Sequence, residues 1–507
     1  MTTHAGAEAG SAITIAEGPR GVPLLGNLPA FGKDPLAFFE RLRERGDVVR
    51  WRFGPSSALF IAHPDNIGEL LTGIESTFDQ PDLGIALRTL LGNGVVVAKG
   101  RDWRRKRSLV QPSVRPKQVR SYAATMAECA VALADRWSDG QRIDIKQEMA
   151  ALTRLIAVRT IFGADTASDA EAIGRAMDVA QQEIGAELSG IGALLPDWIP
   201  TPGRARVKRA TAVIDAEVAR LVARHRDGDE DRPDLLSRLL TARDETGAQL
   251  SDREIRDETV TLYIGGHETT SSTLVWAWYL LSRHEKVRRT LAEELDRVLA
   301  DHEPGYDDYA SLTYTQAVIK ETLRLYPTIW LLTGTAKEGA TLGGTPVPPG
   351  TRVWSSQWAT HRDPRWYGDA DTFRPERWLT DAEAAPAEKI PEYAWYPFGG
   401  GPRVCLGTRF ALVEAVLVLA VLARRYDLDV APEAIRPVPS LTLQPHREDP
   451  GPGPGAGQRD GVTSRPPPAP LGGGRHAAWV GSCSSSTWAF QSRLMARQAS
   501  SVLPWRQ

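Results

Sequence analysis

Near the C-terminal end of this 507-residue chain stands Phe398-Gly399-Gly400-Gly401-Pro402-Arg403-Val404-Cys405-Leu406-Gly407, then an apolar run that predicts a helix from about Leu406 to Leu422. Three glycines and a proline make a tight loop with exposed backbone. The spacing places Cys405 at a helix N-terminus, where the dipole and free N–H groups favour a thiolate. A thiolate is a soft ligand suited to iron. Lone cysteines are more often inert packing residues, and a nucleophilic cysteine needs a base and an orienting partner that no local signature supplies. The glycine loop, Arg403 and the helix start together favour ligation.

A second cluster lies at Gly265-Gly266-His267-Glu268-Thr269-Thr270, inside a helical pattern from Ser251 to about Arg283. Ser251 and Glu254 form a capping-box start. A helix of that length spans about 50 Å. Two glycines in its middle cost about 1 kcal/mol each. One reading is a kinked helix with a polar solvent face. The other is a groove over a bound cofactor, with Glu268 and Thr269 handling protons, since proton delivery needs a hydroxyl in reach and a carboxylate behind it.

The elements that must carry these clusters are mostly helices. A helix is expected over Gln118 to Ser138, and short strands over Val48 to Phe53, Ala58 to Ala62, Leu331 to Ala336 and Thr351 to Trp354. The fold class is mostly α with a small β region. Residues 1–19 read as a flexible segment, 20–446 as one catalytic domain, and the Pro/Gly-rich 447–507 as a largely disordered tail. The net charge of −2 offers no global pull toward nucleic acid. Cys129, Cys405 and Cys483 make neither a disulfide framework nor a zinc spacing, so a cytoplasmic setting fits. The N-terminus lacks a secretion signal and no apolar run is long enough for a membrane anchor.

The Phe398–Gly407 loop matches at every specified position the heme-binding signature of the cytochrome P-450 family, which this chain resembles over about residues 20 to 446. Gly265 to Thr270 resembles that family's oxygen-binding helix, and Glu321 with Arg324 its Glu-x-x-Arg helix. Phe373 to Trp378 resembles the segment whose arginine, Arg377, completes a structural triad. Trp103 with Arg107 matches the Trp-x-x-x-Arg helix. The resemblance implies a triangular helical prism with a long helix over heme b. It gives Cys405 as the iron ligand, and Trp103, Arg107 and Arg403 to the heme propionates. Phe398, Gly401 and Gly407 shape the loop, and Gly265 leaves room on the helix. Glu268 and Thr269 deliver protons. Gly334 and Thr335 stand where the family commonly has a propionate arginine, so the clamp is expected to be one cation short. The tail after Pro445 departs from the family and puts the last strand pair and one pocket wall in doubt.

The implied reaction inserts one oxygen atom of O2 into an apolar small molecule. A terpenoid is favoured, and fatty acids and polyketides stay open. Phe78 to Leu91, Tyr263, Ile264 and Ile329 to Leu332 are candidates to line the pocket. Electrons are expected from a ferredoxin and its reductase, steered by Arg104, Arg105, Lys106 and Arg409. A peroxide-driven peroxygenase or a catalytically impaired heme-binding protein is the alternative.

Overall fold

The computed structural model of the chain describes residues 13–80, 84–163, 167–189, 195–196, 198–227, 234–379, 389–430, 435–447 and 460–465. β1 (Ile15–Glu17), α1 (Leu28–Lys33) and α2 (Pro35–Arg43) lead into the hairpin of β2 (Val48–Phe53) and β3 (Ser56–Ile61). Next come α3 (Pro64–Gly73), β4 (Phe78–Asp79), α4 (Ile85–Leu91), α5 (Gly100–Val110), α6 (Pro116–Ala134), β5 (Arg142–Ile143) and α7 (Ile145–Phe162). They are followed by α8 (Ala167–Ser189), α9 (Pro202–Arg226), α10 (Leu235–Thr241), α11 (Asp252–Leu281), α12 (Glu285–Leu299) and α13 (Thr313–Leu325). β6 (Leu332–Ala336), β7 (Thr341–Leu342), β8 (Thr345–Pro346), β9 (Arg352–Ser355) and α14 (Gln357–Thr360) precede the cysteine loop. After it run α15 (Thr408–Arg425), β10 (Tyr426–Asp429), β11 (Ile435–Pro439), β12 (Leu443–Arg447) and β13 (Asp460–Ser464). The fold is mostly helical with a minor sheet region.

Six strands form the main sheet in the order β1-β2-β3-β9-β6-β4. Gly54, at φ +62°, turns β2 into β3, and Val48 pairs with Ile61. The turn needs that left-handed conformation, which glycine adopts without strain. Phe38, Phe39, Trp51, Phe60 and Trp354 fill one face of the sheet as a buried aromatic layer. Leu70, Ile74, Phe78 and Val353 fill another apolar cluster against it.

The largest core surrounds α11, with α6, α7, α12, α13 and α15 contributing buried apolar side chains. α11 begins as its sequence predicts: Ser251 and Glu254 make a full capping box. The two glycines do not break the helix, which runs unbroken for 30 residues. The helix expected from Gln118 starts earlier, at Pro116, because a proline at the first position suits a helix start.

The described structure continues past the expected boundary at 446. β11 and β12 pair antiparallel, with Val438 opposite Gln444. Leu443 N–H donates to Thr328 O at 2.8 Å, and Trp330 Nε1 donates to Ser440 O at 2.9 Å. The last strand pair is therefore present and anchored. Beyond it, β13 sits between β10 and β5, with Val462 opposite Leu428. Val462 is buried, which is why these five residues order within a polar stretch. Residues 448–459 and 466–507, with Cys483, lie outside the described residues.

Candidate active site

The cysteine loop is built by close backbone packing. Cys405 N–H donates to Phe398 O at 2.9 Å and closes the loop. Gly401 has φ +60°, and a Cβ there would lie 2.3 Å from Leu71 O, so a side chain is excluded. Phe398 is half-buried and packs against the main core. Gly407 lies beside the sulfur, and its N–H and that of Thr408 are directed at it, while the Thr408 hydroxyl donates to Cys405 O at 2.9 Å. These groups and Arg107 draw the thiol down, but burial outweighs them and raises it. The helix start alone therefore does not make the thiolate. A metal cation on sulfur would, because coordination deprotonates a thiol outright. The Cys405 side chain is nonetheless exposed. Both observations hold for a group deep in the molecule that faces a hollow.

Two guanidiniums meet on one indole. Arg403 lies 4.3 Å and Arg107 5.8 Å from the ring centroid of buried Trp103. Arg107 gives one N–H to Val404 O at 3.0 Å. Arg403 is occupied by Glu75, Val95 O and Ala98 O. Gly334 has no room for a side chain. The reason is local: a Cβ there would meet Leu70 at 2.8 Å and Ile74 at 3.2 Å, so apolar side chains of α3 fill that space.

Glu321, Arg324 and Arg377 come together as expected. Five donors converge on the Glu321 carboxylate: Arg324 Nε and Nη2, Arg377 Nε, Arg374 N–H and Trp378 Nε1. All three side chains of the triad have 0% exposure. Burial pushes the Glu321 carboxyl up, but the guanidiniums more than offset it and hold it low. Arg324 also donates to His361 O, Ala370 O and Thr372 O. Its grip on the cysteine loop is indirect. Tyr367 Oη donates to Ala394 O, and Tyr396 N–H donates to His361 Nε2, just before Phe398.

Along α11, Gly265 is exposed in the midst of a buried helix, and a Cβ on Gly265 or Gly266 would meet nothing within 4 Å. The glycines open a hollow rather than a kink. Thr269 folds its hydroxyl back onto Gly265 O at 2.8 Å. Glu268 points elsewhere, accepting from Thr442 Oγ1 at 2.7 Å, Gln444 Nε2 at 2.5 Å and Gln181 Nε2. Burial raises its carboxyl. The acid and the alcohol are neighbours in sequence, yet the bonds of each run to different partners. Gln181, Thr442 and Gln444 were not found from sequence, having no local signal. Glu414 was also missed, although a carboxylate within an apolar helix is a visible anomaly. It is buried, both oxygens lack a hydrogen-bond partner, and burial raises it well above the usual range. Thr270 lies beside it but donates to Gly266 O.

Two expectations are corrected. Lys106 is buried with Asp102 and Asn93 O and so does not face a partner, while Arg105 pairs with Asp244 and Glu254 and stays partly exposed. Arg104 and Arg409 stay exposed. Tyr263 is not at the hollow's edge: it is buried against His267 and the α8–α9 core. Ile264, Ile329, Leu331 and Leu332 are half-buried, Trp330 is buried, and residues 81–83 lie outside the described set.

Among the described residues no group of three or more His, Cys, Asp or Glu is placed to hold a metal. The guanidiniums at Trp103 suit carboxylates such as the heme propionates. The residues fit heme.

Comparison with known proteins agrees. Residues 16–447 match the family described as cytochrome P-450. The chain is 36% identical over 433 residues to cyclooctat-9-en-7-ol 5-monooxygenase of Streptomyces melanosporofaciens, covering 85% of this chain and 91% of that protein. It is 36% identical over 440 residues to cyclooctatin synthase of the same organism, covering 86% and 95%. Pentalenene oxygenase of Streptomyces avermitilis is 34% identical over 431 residues, covering 84% and 94%.

Proposed function

Since this chain belongs to the cytochrome P-450 family and is a heme-thiolate monooxygenase, we propose that it carries heme b on Cys405 and oxidises a terpenoid. The observation that carries the heme assignment is Cys405 itself, held in a glycine loop with the N–H groups of Gly407 and Thr408 directed at its sulfur. The terpenoid reading is supported by the relatives acting on cyclooctat-9-en-7-ol and pentalenene. Ile264, Ile329, Leu331 and Leu332 are half-buried apolar side chains and are the proposed lining for such a hydrocarbon-rich compound.

When bound, heme supplies O2 activation, with one oxygen atom entering a C–H bond and the other leaving as water. The residues supply the surroundings. Cys405 donates electron density through its sulfur, tuned by the N–H groups of Gly407 and Thr408. Trp103, Arg107 and Arg403 would hold the propionates. Gly265 clears space on α11. The Thr269 hydroxyl and Glu268 carboxylate are the proton-handling pair, Glu268 being kept protonated more readily by its burial. A ferredoxin with its reductase is the proposed electron source. No helix among the described residues is long and apolar enough to cross a membrane.

Reduced protein exposed to carbon monoxide should show the red-displaced Soret band of sulfur ligation, and Cys405→Ser should lose it. A wild-type protein without that band removes the assignment. Titrating terpenes, fatty acids and macrolides should give the largest low-spin to high-spin shift with terpenes; a stronger response to another class overturns the substrate reading. Thr269→Ala should release more peroxide per product formed, and unchanged coupling would take Thr269 out of the mechanism.

A further inference from the structure

Glu75 joins four parts of the molecule. It sits between α3 and β4 with φ +80°, a left-handed conformation that is strained for a glutamate. Its N–H donates to Phe78 O at 2.9 Å, and its carbonyl accepts from Lys337 Nζ at 3.3 Å. One carboxylate oxygen accepts from Gly100 N–H at 2.9 Å, the first N–H of α5, which carries Trp103 and Arg107. A negative group there satisfies an orphan helix donor and complements the dipole. The other oxygen accepts from Arg403 Nε at 3.0 Å and from its Nη2. The ion pair is 12% and 10% exposed, so water screens it little.

A guanidinium has five N–H donors. Arg403 gives two to Glu75, one to Val95 O and one to Ala98 O. Arg107 shares the same indole and gives a single N–H, to Val404 O. The two arginines are thus unequal. We propose that Glu75 is a positioning residue for the propionate end of the site: it holds Arg403 over Trp103 and neutralises it, leaving Arg107 as the principal cation for a propionate. This rests on the heme reading above.

The test uses the full-length protein loaded with heme, and measures midpoint potential by spectroelectrochemistry and heme transfer to apomyoglobin. Glu75→Gln removes a negative charge beside the site and should move the potential positive. Arg403→Gln removes the cation and should move it negative, and the double variant should return close to wild type. In wild type, Arg107→Ala should speed heme transfer several-fold more than Arg403→Ala, and Glu75→Gln should enlarge the Arg403→Ala effect. A carboxylate that only braced the fold would lower stability without these opposite shifts. Potentials that do not move, or move in one direction for both single variants, overturn the inference, as does an equal effect of the two alanine variants. Should Glu75→Gln fail to fold, Arg403→Gln and the two alanine variants decide it. A wild-type protein lacking the carbon monoxide band would overturn the heme reading itself, a result separable from any change confined to the variants.

Discussion

The cysteine side and the α11 side of the site treat buried carboxylates in opposite ways. Glu321, beneath the cysteine side, is ionised and receives five donors. Glu414, facing α11 from α15, has no hydrogen-bond partner on either oxygen and is pushed toward its neutral form. Glu258, on α11, takes one bond from Val95 N–H, and burial raises it to about 7. A buried charge is tolerable only when paired, and otherwise the group neutralises. The cysteine side is thus fastened by charge, through Arg324 and its grip on the 361–372 segment. On the α11 side burial instead raises the acids, Glu414 well above the usual range and Glu258 to about 7. One side needs fixed geometry, and the other needs room and protons.

The largest expected effect comes from the same substitution made on both sides. Glu321→Gln leaves Arg324 and Arg377 with an incomplete partner, and removing one member of a buried pair costs about 3–5 kcal/mol. Urea unfolding should show that loss, with little heme incorporated. Glu414→Gln replaces a neutral acid by a neutral amide. Because the folded carboxyl is raised, the folded state keeps a proton that the unfolded chain releases, so wild-type stability falls as pH rises above about 4.5. The variant should match wild type near pH 5 and exceed it at pH 7. Equal losses from the two substitutions would erase the contrast.

Two buried histidines give the next effect, one from each side. Burial holds His361 at about 3 and His267 at about 4. Their folded values are depressed, so their contribution is whole above the unfolded value near 6.5 and is lost as pH falls toward the folded values. Each costs up to about 1.4 kcal/mol per pH unit in that window. Unfolding followed from pH 7 to 4.5 should steepen accordingly, and His267→Gln should reduce the slope. A flat profile would show that these rings are not held neutral.

The smallest effect tests the opening itself. Gly265→Ala adds a Cβ into empty space and should stabilise the protein by up to about 1 kcal/mol. A lower melting temperature would mean that the glycine answers a need of the fold rather than of the site.

Much of this contrast was legible before any coordinates. The capping box at Ser251 starts α11, and the Val48–Phe53 strand has the boundaries its pattern predicts. The Phe398–Gly407 spacing marks the cysteine loop. Expectations failed where a side chain's direction mattered. The run Arg104-Arg105-Lys106 reads as one basic face, yet the helix buries Lys106 and ties Arg105 to Asp244 and Glu254, far along the chain. The tail reads as featureless, yet Asp460–Ser464 supplies a strand because β10 and β5 offer open edges.

Sequence by itself determined the cysteine loop that presents the proposed ligand Cys405, and the glycines of α11, because these depend on local conformation and on chemistry confined to a few adjacent residues. Tertiary structure alone decided that Glu75 engages Arg403, that Thr442 and Gln444 reach Glu268, and that Glu414 stays unpaired. Those partners are separated by tens to hundreds of positions, and whether a carboxylate is charged or neutral depends on what the fold packs around it.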